Sequence, residues 1–134
     1  MSKLTRSKKN VLRGLHFQIR HPQGKLVRVT AGEVCDVVVD LRRSSPCFGQ
    51  HTCTGLSSVN HHQLWIPPGF AHGFLVLSET AEFLYKTTDY WYPEHERTLL
   101  WSDPELSIDW PAENPQLSPK DLQGMILRGC DVFD

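Results

Sequence analysis

The sequence predicts an all-β fold, an antiparallel sandwich or barrel. Three observations predict it: short strand-like runs at nearly even spacing, turn residues between them, and a scarcity of helix signals. The first run is residues 11–18, followed by the turn-rich His21-Pro22-Gln23-Gly24. Residues 25–30 form the next and close at Ala31-Gly32. Residues 33–41 are rich in valine, carry Asp36 and Asp40 on one parity, and stop at Ser44-Ser45-Pro46. Residues 48–56, 63–66, 73–77 and 81–88 complete seven runs, with Asn, Pro, Gly or Ser between them. Residues 101–116 show no clear period and read as a loop packed over the sheet. The one good helix start is Ser118-Pro119-Lys120-Asp121, with a Ser cap, Pro at the first helical position and an acid two residues later.

A chain of 134 residues fits a single domain with one core, so residues 1–134 are taken as one unit with a polar lead (1–9) and a tail (124–134). A sandwich usually needs about eight strands. Seven are counted, so a partner chain or a missing strand is expected to complete the sheet. With 40% hydrophobic and 22% charged residues, disorder is excluded. Fourteen Lys plus Arg against fifteen Asp plus Glu leave a formal charge of −1, so no positive field exists for nucleic acid or an anionic membrane. No apolar run is long enough to span a bilayer, and residues 1–9 do not resemble a secretory signal. Cys35, Cys47, Cys53 and Cys130 show no C-x-x-C or zinc-ligand spacing, and reduced thiols in the cytoplasm are expected.

Seven histidines carry the most chemical information. His51, His61, His62 and His95 lie in polar contexts and read as solvated. His16 and His72 sit inside apolar, strand-like settings (Leu15-His16-Phe17 and Phe70-Ala71-His72-Gly73-Phe74), which points to a shared polar pocket. Pro67-Pro68-Gly69-Phe70-Ala71-His72 also fits the P-x-G-x-x-H pattern of metal-binding cupin barrels. Around His16, however, the H-x-H pair and the nearby glutamate of such sites are missing, so a three-ligand metal site is not expected.

Longer blocks then resemble one family. Residues 10–18 (NVLRGLHFQ), 22–29 (PQGKLVRV), 63–73 (QLWIPPGFAHG), 81–90 (AEFLYKTTDY) and 117–121 (LSPKD) are similar to the dTDP-4-dehydrorhamnose 3,5-epimerases. The resemblance implies a cupin-like jelly roll (a double-stranded β-helix), a homodimer, and epimerisation of a dTDP-4-keto-6-deoxyhexose without metal or other cofactor. It implies His16 as base, Tyr85 as acid, Asp121 as the carboxylate orienting the histidine, and Lys25 as the cation near the developing enolate oxygen. His72 (with Asp36 as possible partner), Arg13, Glu96 and Lys120 match substrate-contacting positions. Without the resemblance, plainer parts fit the same residues: a helix cap for Asp121, a strand aromatic for Tyr85, an edge charge for Lys25, solvated charges for Glu96 and Lys120.

Strict alternation places Arg13 on the face opposite His16. Either Gly14 marks a bulge, or Arg13 serves a neighbouring site. Trp91 stands where the family commonly has a second tyrosine, which bears on the contact to the nucleotide base. The family also carries an earlier segment with F-x-D-x-R-G-x-F-x-E and Q-D-N blocks that has no counterpart here, so weaker diphosphate binding and an exposed sheet edge are expected. Two further readings of the same residues are an inactive, shortened sugar-nucleotide-binding jelly roll and a metal-binding cupin.

Overall fold

The computed structural model describes residues 2–134. Among these, nine strands form two antiparallel sheets. One has four strands in the order β1 (Ser2–Lys8), β8 (Thr80–Thr87), β3 (Lys25–Ala31) and β6 (Gln63–Ile66). The other has five, in the order β5 (His51–Ser57), β4 (Glu33–Asp40), β7 (Phe70–Val76), β2 (Leu12–Gln18) and β9 (Glu96–Thr98). A single short helix, α1 (Pro119–Leu122), follows. Almost every connection crosses from one sheet to the other, which gives the jelly roll expected from the resemblance. No helix among the described residues is long and apolar enough to cross a membrane.

Strand alternation divides the apolar residues into two cores. Between the sheets lie Val27, Val29, Val34, Leu56, Ile66, Phe74, Val76 and Phe83. On the outer face of the five-stranded sheet, Leu12, Leu15, Val37, Val39, Ala71 and Leu75 are covered by Leu99, Leu106, Trp110 and Leu127. The segment expected as a loop over the sheet therefore supplies a third layer. Strand β4 is buried on both faces, which accounts for its unbroken valine run. Each fully buried Leu or Val contributes about 1.5–3 kcal/mol relative to exposure.

Three expectations change. Residues 2–8 are not a polar lead but strand β1, paired with β8 from Ser2↔Lys86 to Lys8↔Thr80 (Met1 lies outside the described residues). The alternation is concealed because its inward row is polar, with Lys3 and Thr5 on the cavity and Ser7 buried against Arg13, while Arg6 on the outer row pairs with Glu82. The count of seven strands also omits β9, three residues long and recognisable through its pairing with β2. Cys35 and Cys53 are not reduced thiols: they lie diagonally across β4 and β5, 6.2 Å apart at Cα, and are joined in a disulfide. Cys47 and Cys130 are free, with burial pushing the Cys130 thiol up to about 11.

Candidate active site

Residues from both sheets line a cavity of about 540 Å³. Its walls include Arg13, His16, Lys25, His72, Tyr85, Glu96 and Lys120, so seven of the eight expected site residues meet in one space. The eighth, Asp121, stands behind His16. The five-stranded sheet contributes His16 and His72, directly opposite each other in the β2–β7 pairing. The four-stranded sheet contributes Lys25 and Tyr85 from β3 and β8, with the Lys25 ammonium 5.9 Å from the centre of the Tyr85 ring. Phe74 and Phe83, stacked at 4.3 Å, join the two walls with apolar surface.

A bulge settles the parity of Arg13. Arg13 pairs with Phe74 and His16 with His72, so Gly14 and Leu15 on β2 oppose Gly73 alone on β7. The extra residue turns Arg13 and His16 to the same side, and both line the cavity. Glycine is required at this crossing. A Cβ on Gly14, whose φ is +127°, would stand 2.7 Å from the Gly73 Cα, and one on Gly73 would stand 2.6 Å from the Arg13 carbonyl oxygen. Arg13 is steadied by its Nε–H, which donates to Ser7 Oγ at 3.1 Å.

The bulge also opens a route for a carboxylate from outside the sheet. Ser118 caps α1 by accepting from the Asp121 N–H at 3.2 Å, with Pro119 at the first helical position, as the sequence indicates. Buried Asp121 takes the Gly14 N–H on Oδ2 at 3.1 Å and meets His16 Nε2 with Oδ1 at 2.6 Å. Burial opposes its ionisation, but the hydrogen bond and charge of His16, with the Gly14 N–H, hold the carboxyl below its ordinary range. With Nε2 committed to this carboxylate, Nδ1 is the ring nitrogen left for a proton transfer in the cavity.

A second pair lies deeper, where His72 Nε2 meets Asp36 Oδ2 at 2.7 Å and the imidazole packs on the Phe83 ring. Burial raises Asp36, against the opposing pull of His72 and Lys25; its second oxygen has no partner among the described residues. Burial lowers the Lys25 ammonium, opposed by Glu96 and Asp36. Burial and the Glu96 charge push the Tyr85 phenol above its ordinary value, against Arg13, so it stays protonated at neutral pH. Glu96 is held on both oxygens, by the Trp91 indole N–H and the Lys120 ammonium, each at 2.6 Å. Burial opposes its ionisation, and these two donors outweigh it to keep the carboxyl below its usual range.

The sequence left several lining residues unassigned. Lys3 and Thr5 were hidden in the unrecognised β1, and Gln18 and Gln23 each lie two residues from an assigned one, His16 and Lys25. Period-two alternation in residues 2–8 was the signal available for the first two. Among the described residues, no group of three or more His, Cys, Asp or Glu is arranged to hold a metal ion.

The dTDP-4-dehydrorhamnose 3,5-epimerase family model matches residues 2–128. The chain is 64% identical over 130 residues to the enzyme of that name from Pseudomonas aeruginosa, an alignment covering 96% of this chain and 72% of that one. The chain belongs to this family. The epimerase of Shigella flexneri is 53% identical over the same shares of both chains. Among solved structures, the epimerase of Legionella pneumophila in complex with dTDP-4-keto-L-rhamnose superposes with a TM-score of 0.95 at 55% identity, over 98% of this chain and 70% of that one. A 3'-monoepimerase from Streptomyces bikiniensis in complex with dTDP-quinovose superposes with a TM-score of 0.90 at 29% identity, over 96% of this chain and 66% of that one.

Proposed function

We propose that this epimerase inverts C3 and C5 of dTDP-4-dehydro-6-deoxy-D-glucose to give dTDP-4-dehydro-L-rhamnose. One observation carries the reading: a carboxylate-backed imidazole on one sheet faces a protonated phenol on the other across a single cavity. The C4 ketone acidifies the hydrogens on the two flanking carbons. His16 takes one of these protons on Nδ1 as the C–H bond breaks, and the electron pair moves into the C4 carbonyl to form an enolate. Asp121 stabilises the resulting imidazolium through Nε2, as the third group does in other base-assisted sites. Lys25 offers positive charge toward the enolate oxygen, an effect worth several kcal/mol by order of magnitude. Tyr85 then donates its phenolic proton to the carbon from the opposite face, and both groups re-equilibrate with solvent. Arg13 and Lys120 supply charge for the diphosphate, and Trp91 at the rim offers a ring face to the base.

A homodimer belongs to the same reading. The outer face of the four-stranded sheet exposes Leu4 and Trp65 at 57% and 51%, with Leu26 beside them, an apolar surface suited to a second copy.

Solvent deuterium incorporation tests the chemistry. Incubated in D2O with the 4-keto sugar nucleotide, the protein should exchange C3–H and C5–H. Folded His16→Ala should lose exchange at both carbons, and Tyr85→Phe should lose net inversion by about 10²-fold or more. Wild-type exchange in folded His16→Ala would overturn the assignment.

A further inference from the structure

We infer that Gln18 is a positioning residue whose carboxamide ties together the two chain crossings at the cavity mouth and so fixes the stretch that carries Trp91 and leads into Glu96. One crossing, residues 19–24, leaves β2 for β3; the other, residues 88–95, leaves β8 for β9. Their ends are joined where the β2–β9 and β3–β8 pairings run on, Ile19 N–H to the His95 carbonyl at 2.9 Å and Thr88 N–H to the Gly24 carbonyl at 3.0 Å, with Gln23 Nε2 donating to the Asp89 carbonyl at 2.9 Å; Gln18 holds the stretch between those ends. Gln18 is nearly fully buried between them. Its Nε2 donates to the His21 carbonyl at 2.8 Å and to the Tyr90 carbonyl at 3.2 Å, and its Oε1 accepts from the Tyr92 N–H at 2.9 Å.

All three bonds go to backbone groups, and two of them bracket Trp91 on either side. The carboxamide lines the cavity with its donors already spent on the chain, so it acts on substrate through the mouth and not by touching the reacting atoms. Trp91 in turn donates to Glu96, which receives Lys120, so a shift of residues 90–92 reaches the whole substrate-facing group on that side. The inference rests on the epimerase reading, because the quantity that Gln18 controls is affinity for the nucleotide end of the substrate.

The test is steady-state kinetics with the 4-keto sugar nucleotide, together with calorimetric titration of thymidine diphosphate. Gln18→Met keeps the length of the side chain and removes all three bonds. Its KM and the Kd for thymidine diphosphate should rise by about tenfold while kcat stays within about twofold, the signature of lost binding with intact chemistry. Gln18→Glu keeps the acceptor for Tyr92 and loses both donors, and should move both constants in the same direction. A general loosening of the fold would add to other defects, whereas a role exercised through Trp91 would not. In a Trp91→Ala background, Gln18→Met should therefore add less than about twofold to KM.

Unchanged constants in both Gln18 variants, a fall in kcat alone, or full additivity with Trp91→Ala overturns the inference while wild-type turnover leaves the epimerase reading standing. Failure of both variants to fold would make Gln18 a core residue and overturn it equally. Absence of turnover and of thymidine diphosphate binding in the folded wild type would instead remove the reading on which it rests.

Discussion

Replacing Asp121 by Asn tests the catalytic arrangement through one atom. The carboxylate is bound on two sides: Gly14 N–H donates to one oxygen and His16 Nε2 approaches the other at 2.6 Å. An asparagine has a single acceptor, and the backbone N–H of Gly14 can be satisfied by nothing else, so the amide nitrogen turns toward His16. That nitrogen donates, and Nε2 must then accept, which forces the imidazole proton onto Nδ1, the atom that receives the substrate proton in the proposed mechanism. Loss of a charge-assisted hydrogen bond costs about 1.5–3 kcal/mol. With the His16 side chain 30% exposed, solvent screening favours the middle of that range, about 2 kcal/mol or roughly 30-fold in rate. The wrong tautomer adds to this: the same change in a Ser-His-Asp triad lowers kcat by about 10⁴. The expected loss for Asp121→Asn is thus between about 10² and 10⁴ in kcat, with KM little changed. Deuterium incorporation at C3 and C5 under saturating substrate measures it, alongside a thermal melt to confirm the fold. A folded variant with kcat within about threefold of wild type would refute the reasoning.

Other outcomes follow from the same geometry. If Tyr85 is the acid, activity should fall on the alkaline side as the phenol ionises, above its ordinary 10.0, because burial first and the Glu96 charge second raise it. Glu96→Gln removes one of the raising influences, so the alkaline limb of the kcat–pH profile should move to lower pH; a limb that stays or moves up contradicts the assignment. Gly73→Ala drives a Cβ to 2.6 Å from the Arg13 carbonyl oxygen and should cost on the order of 2–3 kcal/mol in denaturant unfolding. Gly55→Ala, where an added Cβ meets nothing within 4 Å, should be neutral or slightly stabilising, and equal midpoints for the two variants would sink the packing argument.

What could be read from the sequence depended on where each residue's partners lie in the chain. The Ser118 cap, the break between β2 and β3 at Pro22-Gln23-Gly24 and the valine run of β4 are decided by near neighbours, and local chemistry revealed them. Strand β1 was concealed because its inward row is polar, so its pattern mimics a solvated lead. The register shift at Gly14 left two alternatives open, since a bulge is defined by the strand opposite, nearly sixty residues later. The Cys35–Cys53 link was out of reach for the same reason: spacing does not say which cysteines share adjacent strands. Gln18 had no local sign at all, because its partners are main-chain groups at positions 21, 90 and 92. The histidine pair stands out by its apolar setting, whereas the carboxylate behind each is legible through the family resemblance alone, because Asp121 and Asp36 lie far along the chain from the imidazoles they meet.

The orienting carboxylate of His16 comes from the wrapping layer outside the sandwich and enters through the gap that the glycine crossing leaves. Detachment of that layer would strip the imidazole of its counter-ion while both sheets stayed paired. Silencing should therefore precede melting when the protein is warmed, and a preparation can be well folded by its β-sheet signal yet hold a histidine with no carboxylate behind it.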